Sequence, residues 1–374
     1  MFGKPAAPAM PRFIGQLERN IATAHFLARR DQECVAFCRP LTESHPQDGF
    51  AWKLLAASLY RLGRAAEALE PGKHAALLLK EDWDAFNNLG SIHKACGNTD
   101  FAHACFEHAL KLNPKHPESL SNMAELLCET GRPQEAIPCF EQLHQLNPAD
   151  GYVAHMLSTL RGEQTDQAPA AYVTKIFDSY AANFDTHLTQ ELGYRAPQQL
   201  VELLNRPTPM PAHGLDVLDL GCGTGLTGEA IAAHARHLIG VDLSSGMLAK
   251  ARARGHYQQL VEADLVEAMK GLSDASIDIA LSADVFIYVG RLEPVLPEIR
   301  RVLRAGGRFA FSVEQLAESS GRDVQLEASG RYSHASSYLQ RMAEQFGFRI
   351  VQEQDTALRQ DTDRTIPGRL CVWA

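Results

Sequence analysis

The stretch from Val217 to Gly225, reading Val-Leu-Asp-Leu-Gly-Cys-Gly-Thr-Gly, with Asp242 seventeen positions beyond it, constrains this chain most tightly. A short apolar run that ends in Asp-Leu predicts a buried parallel strand. It breaks into three glycines separated by single residues, and the spacing after them predicts a helix over 226–236. Glycine at such a turn lets the backbone approach a ligand closely, in conformations closed to other residues. The free N–H groups that open the helix face the same ligand. A second strand, 237–242, then ends in the carboxylate of Asp242, which is placed to grip ribose hydroxyls. Strand, glycine turn, helix and an acid-tipped strand make the nucleotide-binding half of a doubly wound α/β fold.

The spacing of the turn narrows the ligand. A dinucleotide fingerprint runs G-x-G-x-x-G, whereas these glycines run G-x-G-x-G behind an Asp, and no G-x-x-x-x-G-K-[ST] phosphate loop occurs. A carboxylate at the strand end, Asp219, suits a cationic ligand better than a pyrophosphate. S-adenosylmethionine (SAM) carries an ammonium and a sulfonium and no phosphate. On Asp219–Gly225, Asp242, Glu262–Leu265, the apolar run 277–286 and the helix–turn–strand 300–312, this half resembles the class I SAM-dependent methyltransferases. Within them it is most similar to the branch of the ubiquinone- and biotin-pathway enzymes. The resemblance runs from about residue 170 to the C-terminus and implies a Rossmann-like domain there. It implies cofactor contacts from Asp219, Gly221, Gly223 and Gly225, from Asp242, Leu243 and Met247, and from Asp264 and Leu265. Cys222 reads as a compact filler of the turn.

The first half shows a 34-residue period. Gly63, Gly97 and Gly131 fall on it, as do Ala68, Ala102 and Ala136, Phe106 and Phe140, and Pro46, Pro114 and Pro148. Trp52, Phe86 and Leu120 mark a large residue near each start. This resembles the tetratricopeptide repeat, a helix–turn–helix unit. Glycine ends the first helix, alanine lets the helices approach, the aromatic fills the gap and proline stops the second helix. Repeats at 49–82, 83–116 and 117–150 follow a degenerate one at 15–48, and a helix near 151–160 would cap the array. The expected organisation is an all-α repeat solenoid over 15–160, a polar linker over 161–169, and the α/β domain over 170–374. Such arrays present grooves that hold a peptide or partner protein; the plainer alternative is a purely structural role in assembly or shielding.

Between the halves, Tyr172, Ile176, Phe177, Tyr180 and Phe184 recur at helical spacing, which predicts an amphipathic helix packed on the sheet. The resemblance adds a role: segment 177–185 matches the one that lids the cofactor in ubiquinone-pathway enzymes, so Tyr180 and Phe184 would face the sulfonium. Tyr194 and Arg195 would line the same cleft. Methyl transfer is an in-line displacement in which alignment of donor and acceptor does most of the work, and a base is needed only for an acceptor protonated at neutral pH. Asp284 and Tyr288, after the fourth strand, fall near the methyl group; the family often carries His near the Tyr288 position, and this chain does not. Arg331, Tyr332 and His334, ahead of a helix beside the acceptor cleft, are expected substrate contacts, with His334 as a possible base. The α/β half has no D/N-P-P-Y/F motif, no Pro-Cys pair and no double-Glu hairpin, which excludes several acceptor classes of the family and leaves a small, carrier-borne or peptide-borne acceptor.

Bulk properties set the remaining limits. The 374 residues exceed one ordinary domain. A net charge of −9 gives no overall footprint for nucleic acid, and the basic runs 250–254 and 300–304 read as solvated helix faces. No apolar stretch reaches the ~18 residues of a membrane span, so a cytoplasmic protein is expected. Eight cysteines without a C-x-x-C pair predict neither a metal site nor disulfides; Cys34 and Cys38 share a helical face at packing positions. The reading is an active SAM-dependent methyltransferase whose repeats recruit a partner or substrate. A small-molecule biosynthetic enzyme with structural repeats, and a repeat scaffold without activity, are its alternatives.

Overall fold

The computed structural model describes residues 14–180, 184–186, 194–206, 208–361 and 364–374, and it divides into two compact units, 1–148 and 149–374. In the first unit the period becomes four helix pairs. These are α1 (Gln16–Leu27) with α2 (Asp31–Ser44), α3 (Gly49–Arg61) with α4 (Ala65–Leu78), α5 (Trp83–Ala95) with α6 (Thr99–Leu112), and α7 (Pro117–Glu129) with α8 (Pro133–Leu146). Gly63, Gly97 and Gly131 take φ of +74°, +76° and +75° where each first helix ends, a conformation that side chains oppose. Ala68, Ala102 and Ala136 are fully buried between paired helices, with Phe106 and Phe140 closing the gaps. Cys34 and Cys38 sit in the core of the first two pairs, as small buried hydrophobes.

The second unit opens with α9 (Gly151–Arg161), α10 (Ala170–Tyr180) and a single turn α11 (Phe184–Thr186), followed by α12 (Ala196–Asn205). The sheet strands and their helices then alternate: β1 (Leu215–Leu220), α13 (Leu226–Ile231), β2 (Ala235–Asp242), α14 (Ser245–Arg254), β3 (Gln259–Glu262), α15 (Leu265–Lys270), β4 (Ile277–Ser282), α16 (Leu296–Val302) and β5 (Leu303–Leu316). A hairpin of β6 (Val324–Leu326) and β7 (Tyr332–Ala335), the helix α17 (Ser336–Gln345), and the long strands β8 (Ile350–Asp361) and β9 (Arg364–Trp373) complete it. β3, β2, β1, β4 and β5 lie side by side in parallel. β9 runs antiparallel between β5 and β8, and β7 extends the far end of β5.

Alternation along the strands buries both faces, as a crossover sheet requires. Leu218, Ala280, Phe309 and Phe311 face one apolar core; Val217, Leu281 and Ala310 face the other, with Leu200 and Leu204 of α12. The order reverses between β1 and β4, so the carboxyl ends of these strands open a crevice, the place where such folds bind ligands. Helix α13 stops at Ile231 and β2 begins at Ala235, so the helix expected over 226–236 is shorter and its last residues are sheet. The break between units falls at Pro148–Ala149, so α9, expected to cap the repeats, belongs to the α/β unit. Among the described residues no helix is long and apolar enough to cross a membrane.

Candidate functional site

At the carboxyl ends of β1, β2 and β4 lies a cavity of about 860 Å³. Its floor is the glycine turn. Gly221 N and Cys222 N donate to Val241 O, which ties the turn to β2. Asp242 finishes the arrangement, its Oδ2 accepting from Gly223 N (2.8 Å) and its Oδ1 from Ser244 N (2.9 Å). Burial raises the Asp242 carboxyl above its ordinary value, while those backbone donors oppose the shift. Asp264 caps α15, accepting from Val266 N at 2.9 Å. Gly221, Gly223, Asp242, Leu243, Asp264 and Leu265 all line the cavity.

Asp219 is placed differently. It is fully buried behind the turn, outside the cavity lining, and Tyr257 Oη donates to its Oδ2 at 2.6 Å. Tyr257 Oη in turn accepts from Gly228 N at 3.1 Å. Asp219 therefore braces the turn from behind, and burial pushes its carboxyl up to about 7. Gly225 caps α13 and Met247 is buried under Ser244; neither lines the cavity. Tyr257 was missed by sequence reading, although Gly228 in a helix and Gly240 in a strand pointed to it. A Cβ at these positions would fall 2.4 and 2.7 Å from the Tyr257 ring.

Above the turn, α10 brings Val173, Ile176 and Phe177 to the cavity, and α11 brings Phe184. Phe177 meets Phe184 and Tyr288 edge-on, with ring centroids 5.9 and 5.4 Å apart. The Tyr180 side chain lies outside the described residues. Two carboxylates latch this segment to the floor: Asp178 Oδ1 accepts from Ser244 Oγ (2.5 Å), and Asp185 accepts from Thr224 Oγ1 (2.5 Å) and Arg254 Nη2 (2.7 Å). Tyr194 lines the cavity, whereas Arg195 is exposed at the start of α12.

Past the end of β4, Asp284, Tyr288 and Arg331 line the cavity together. Asp284 sits just past β4 with φ +59°, and its N–H donates to Ser312 Oγ at 2.8 Å. Aspartate tolerates this left-handed conformation better than most residues, and here it turns the chain at the edge of the cavity. Burial disfavours the charged Arg331 guanidinium, but its bond to Tyr288 and the nearby Glu314 and Asp284 outweigh that and hold it protonated. Two expected contacts lie elsewhere. His334 is fully buried, and its Nε2 donates to Val289 O (3.1 Å) and Gly290 O (2.9 Å). Burial pushes its imidazole down to about 4, and the ring faces the protein interior, so it holds the Tyr288 loop and is not positioned as a base. Tyr332 is likewise buried, its hydroxyl sharing a hydrogen bond with Thr165 Oγ1.

Five carboxylate side chains and one guanidinium line the cavity among the described residues: Asp166, Asp242, Asp264, Glu267 and Asp284 against Arg331. That donor set fits a cationic ligand without phosphates. Residues 218–311 match the family model described as a methyltransferase domain, and residues 84–149 match the tetratricopeptide repeat model. The chain joins a tetratricopeptide repeat array to a methyltransferase domain. It is 33% identical over 138 residues to a probable SAM-dependent methyltransferase of Mycolicibacterium smegmatis, covering 37% of this chain and 53% of that one. To a malonyl-[acyl-carrier protein] O-methyltransferase of Pectobacterium atrosepticum it is 31% identical over 158 residues, covering 41% and 62%. The chain thus spans little more than half the length of these relatives. A SAM-dependent methyltransferase structure from Mesorhizobium loti superimposes with a TM-score of 0.39 at 22% identity, over 48% of this chain and 97% of that one.

Proposed function

We propose that this protein is an active methyltransferase that transfers the methyl group of SAM to a small-molecule or a protein- or carrier-borne acceptor, with its repeats recruiting the partner or substrate. The carboxylate-lined cavity at the strand ends carries this reading. SAM, when bound, supplies an electrophilic methyl on a leaving group that is already activated. The protein's part is to hold and align. Asp242 would hold the ribose hydroxyls, Asp264 and Leu265 would flank the adenine, and the turn at Gly221–Gly223 would admit the amino-acid end. Phe177, Phe184 and the latched segment exclude water above it. Asp284 would receive a proton from the acceptor where one is released, and Tyr288 and Arg331 would orient the acceptor.

Two observations support the recruiting role. In the repeat unit a hollow of about 410 Å³ is floored by Leu120, Met123 and Leu127 and rimmed by His103, Glu107, Lys111 and Glu135, a surface suited to a peptide. The Pectobacterium relative is named for an acceptor borne on a carrier protein, which favours a delivered acceptor over a free one. Purified full-length protein, incubated with methyl-labelled SAM and native cell extract, tests the reading. Label in a macromolecular fraction supports the delivered acceptor, label only in small molecules supports the biosynthetic alternative, and no label in either contradicts an active enzyme.

A further inference from the structure

Residues 161–169 have a linker's composition, yet they are built into the second unit. Gln164 Oε1 accepts from Leu326 N at 2.8 Å, and Thr165 Oγ1 shares a 2.5 Å hydrogen bond with Tyr332 Oη. Asp166 O accepts from Arg291 N (2.7 Å), and Ala168 N donates to Tyr288 O (3.0 Å). Just ahead, in α9, buried His155 donates from Nε2 to Gly330 O at 3.1 Å and packs on Tyr172, with ring centroids 4.3 Å apart. The fit is close: a Cβ on Gly290 would fall 2.5 Å from Asp166 O, and one on Gly330 would fall 2.3 Å from Tyr172 Oη. All five bonds end on two segments. One is the loop 288–291 that carries Tyr288, and the other is the β6–β7 hairpin that carries Arg331 just ahead of β7. Asp166, Gln167 and Ala168 themselves line the cavity beside those two side chains.

We infer that residues 155–168 form a strap that sets the acceptor side of the cavity. His155, Gln164 and Thr165 are positioning residues for Tyr288 and Arg331, and Asp166 and Gln167 bound the space that selects the acceptor. This rests on the methyltransferase reading. The strap's five bonds leave the cofactor floor alone, so loosening it acts on acceptor placement while SAM binding is preserved. Alignment to within about an ångström governs such displacements.

The test uses the full-length chain with Gln164→Leu and Thr165→Val combined, beside the conservative pair Gln164→Glu and Thr165→Ser. Three quantities are read: calorimetric affinity for S-adenosylhomocysteine, amide exchange by peptide, and label transferred from SAM into native extract. The disruptive pair should lower label transfer at least tenfold and speed exchange at 286–292 and 324–335. Its affinity for S-adenosylhomocysteine should stay within twofold, and the conservative pair should recover most of the transfer. Unchanged transfer, or affinity falling in step with transfer, overturns the inference. A wild-type protein that transfers no label fails the enzyme reading instead. Exchange then still decides the strap: faster exchange confined to those two segments supports it, and faster exchange that extends to 221–228 contradicts it.

Discussion

Tyr257 and His334 show how much of this site is made by side chains outside the cavity lining. Tyr257 donates to Asp219 and accepts from Gly228, so one hydroxyl braces strand, turn and helix. Asp219 is raised to about 7 by burial, so the folded chain holds its proton more tightly than the unfolded chain does. Its contribution therefore favours folding at low pH and is lost as pH climbs from about 4 towards 7. Asp219→Asn removes that dependence and keeps an acceptor for Tyr257. Its melting temperature relative to wild type should rise between pH 5 and pH 8, and a constant difference would contradict the shift. His334 gives the complementary case. His334→Gln keeps a donor for the Val289 and Gly290 carbonyls, so it should retain label transfer within about threefold, with an unaltered pH profile; a base would lose both. Sequence reading placed both residues near the site, because order along the fold is legible, and misjudged their roles, because burial of Asp219 and the direction of the His334 ring are set by residues far away in the chain.

Among the elements, the repeat helices were legible because their rules are local: a glycine with positive φ, a small residue and an aromatic recur every 34 positions, and each pair packs mainly on its neighbours. The glycine turn and its strands were legible for the same reason. The strap was not, since a polar stretch ending in proline looks the same whether water or a distant loop satisfies its backbone. Nor were the latches, whose partners lie 66, 39 and 69 positions away. They have a measurable consequence. Asp185→Asn weakens the bond to Arg254, a charge-assisted contact of about 1.5–3 kcal/mol at most and less where it is part exposed. Stopped-flow release of S-adenosylhomocysteine should be on the order of tenfold faster, with melting little changed. Release at the wild-type rate would mean that the segment does not govern exit.

At the scale of the whole molecule, the break at Pro148–Ala149 and the strap predict where the chain can be divided. A fragment 149–374 should fold and bind SAM, while 170–374 loses α9 and the strap, exposes the Tyr332 and Tyr288 cluster, and should melt lower or aggregate. Equal stability of the two fragments, read by thermal melts, would make the strap dispensable. A boundary at 160 is the natural reading of a 34-residue period followed by one more helix; the contacts that join that helix to the α/β unit, His155 with Gly330 and Tyr152 and His155 with Tyr172, carry no local signature. The central claim is that this cavity is a SAM site organised by Asp242, and isothermal titration of the full-length protein with SAM, wild type against Asp242→Ala, tests it most directly. The account predicts saturable binding by wild type that weakens about tenfold to a hundredfold in the variant, as loss of charge-assisted hydrogen bonds implies. Equal affinity in the two proteins, or a wild type that binds NAD in preference to SAM, would contradict it.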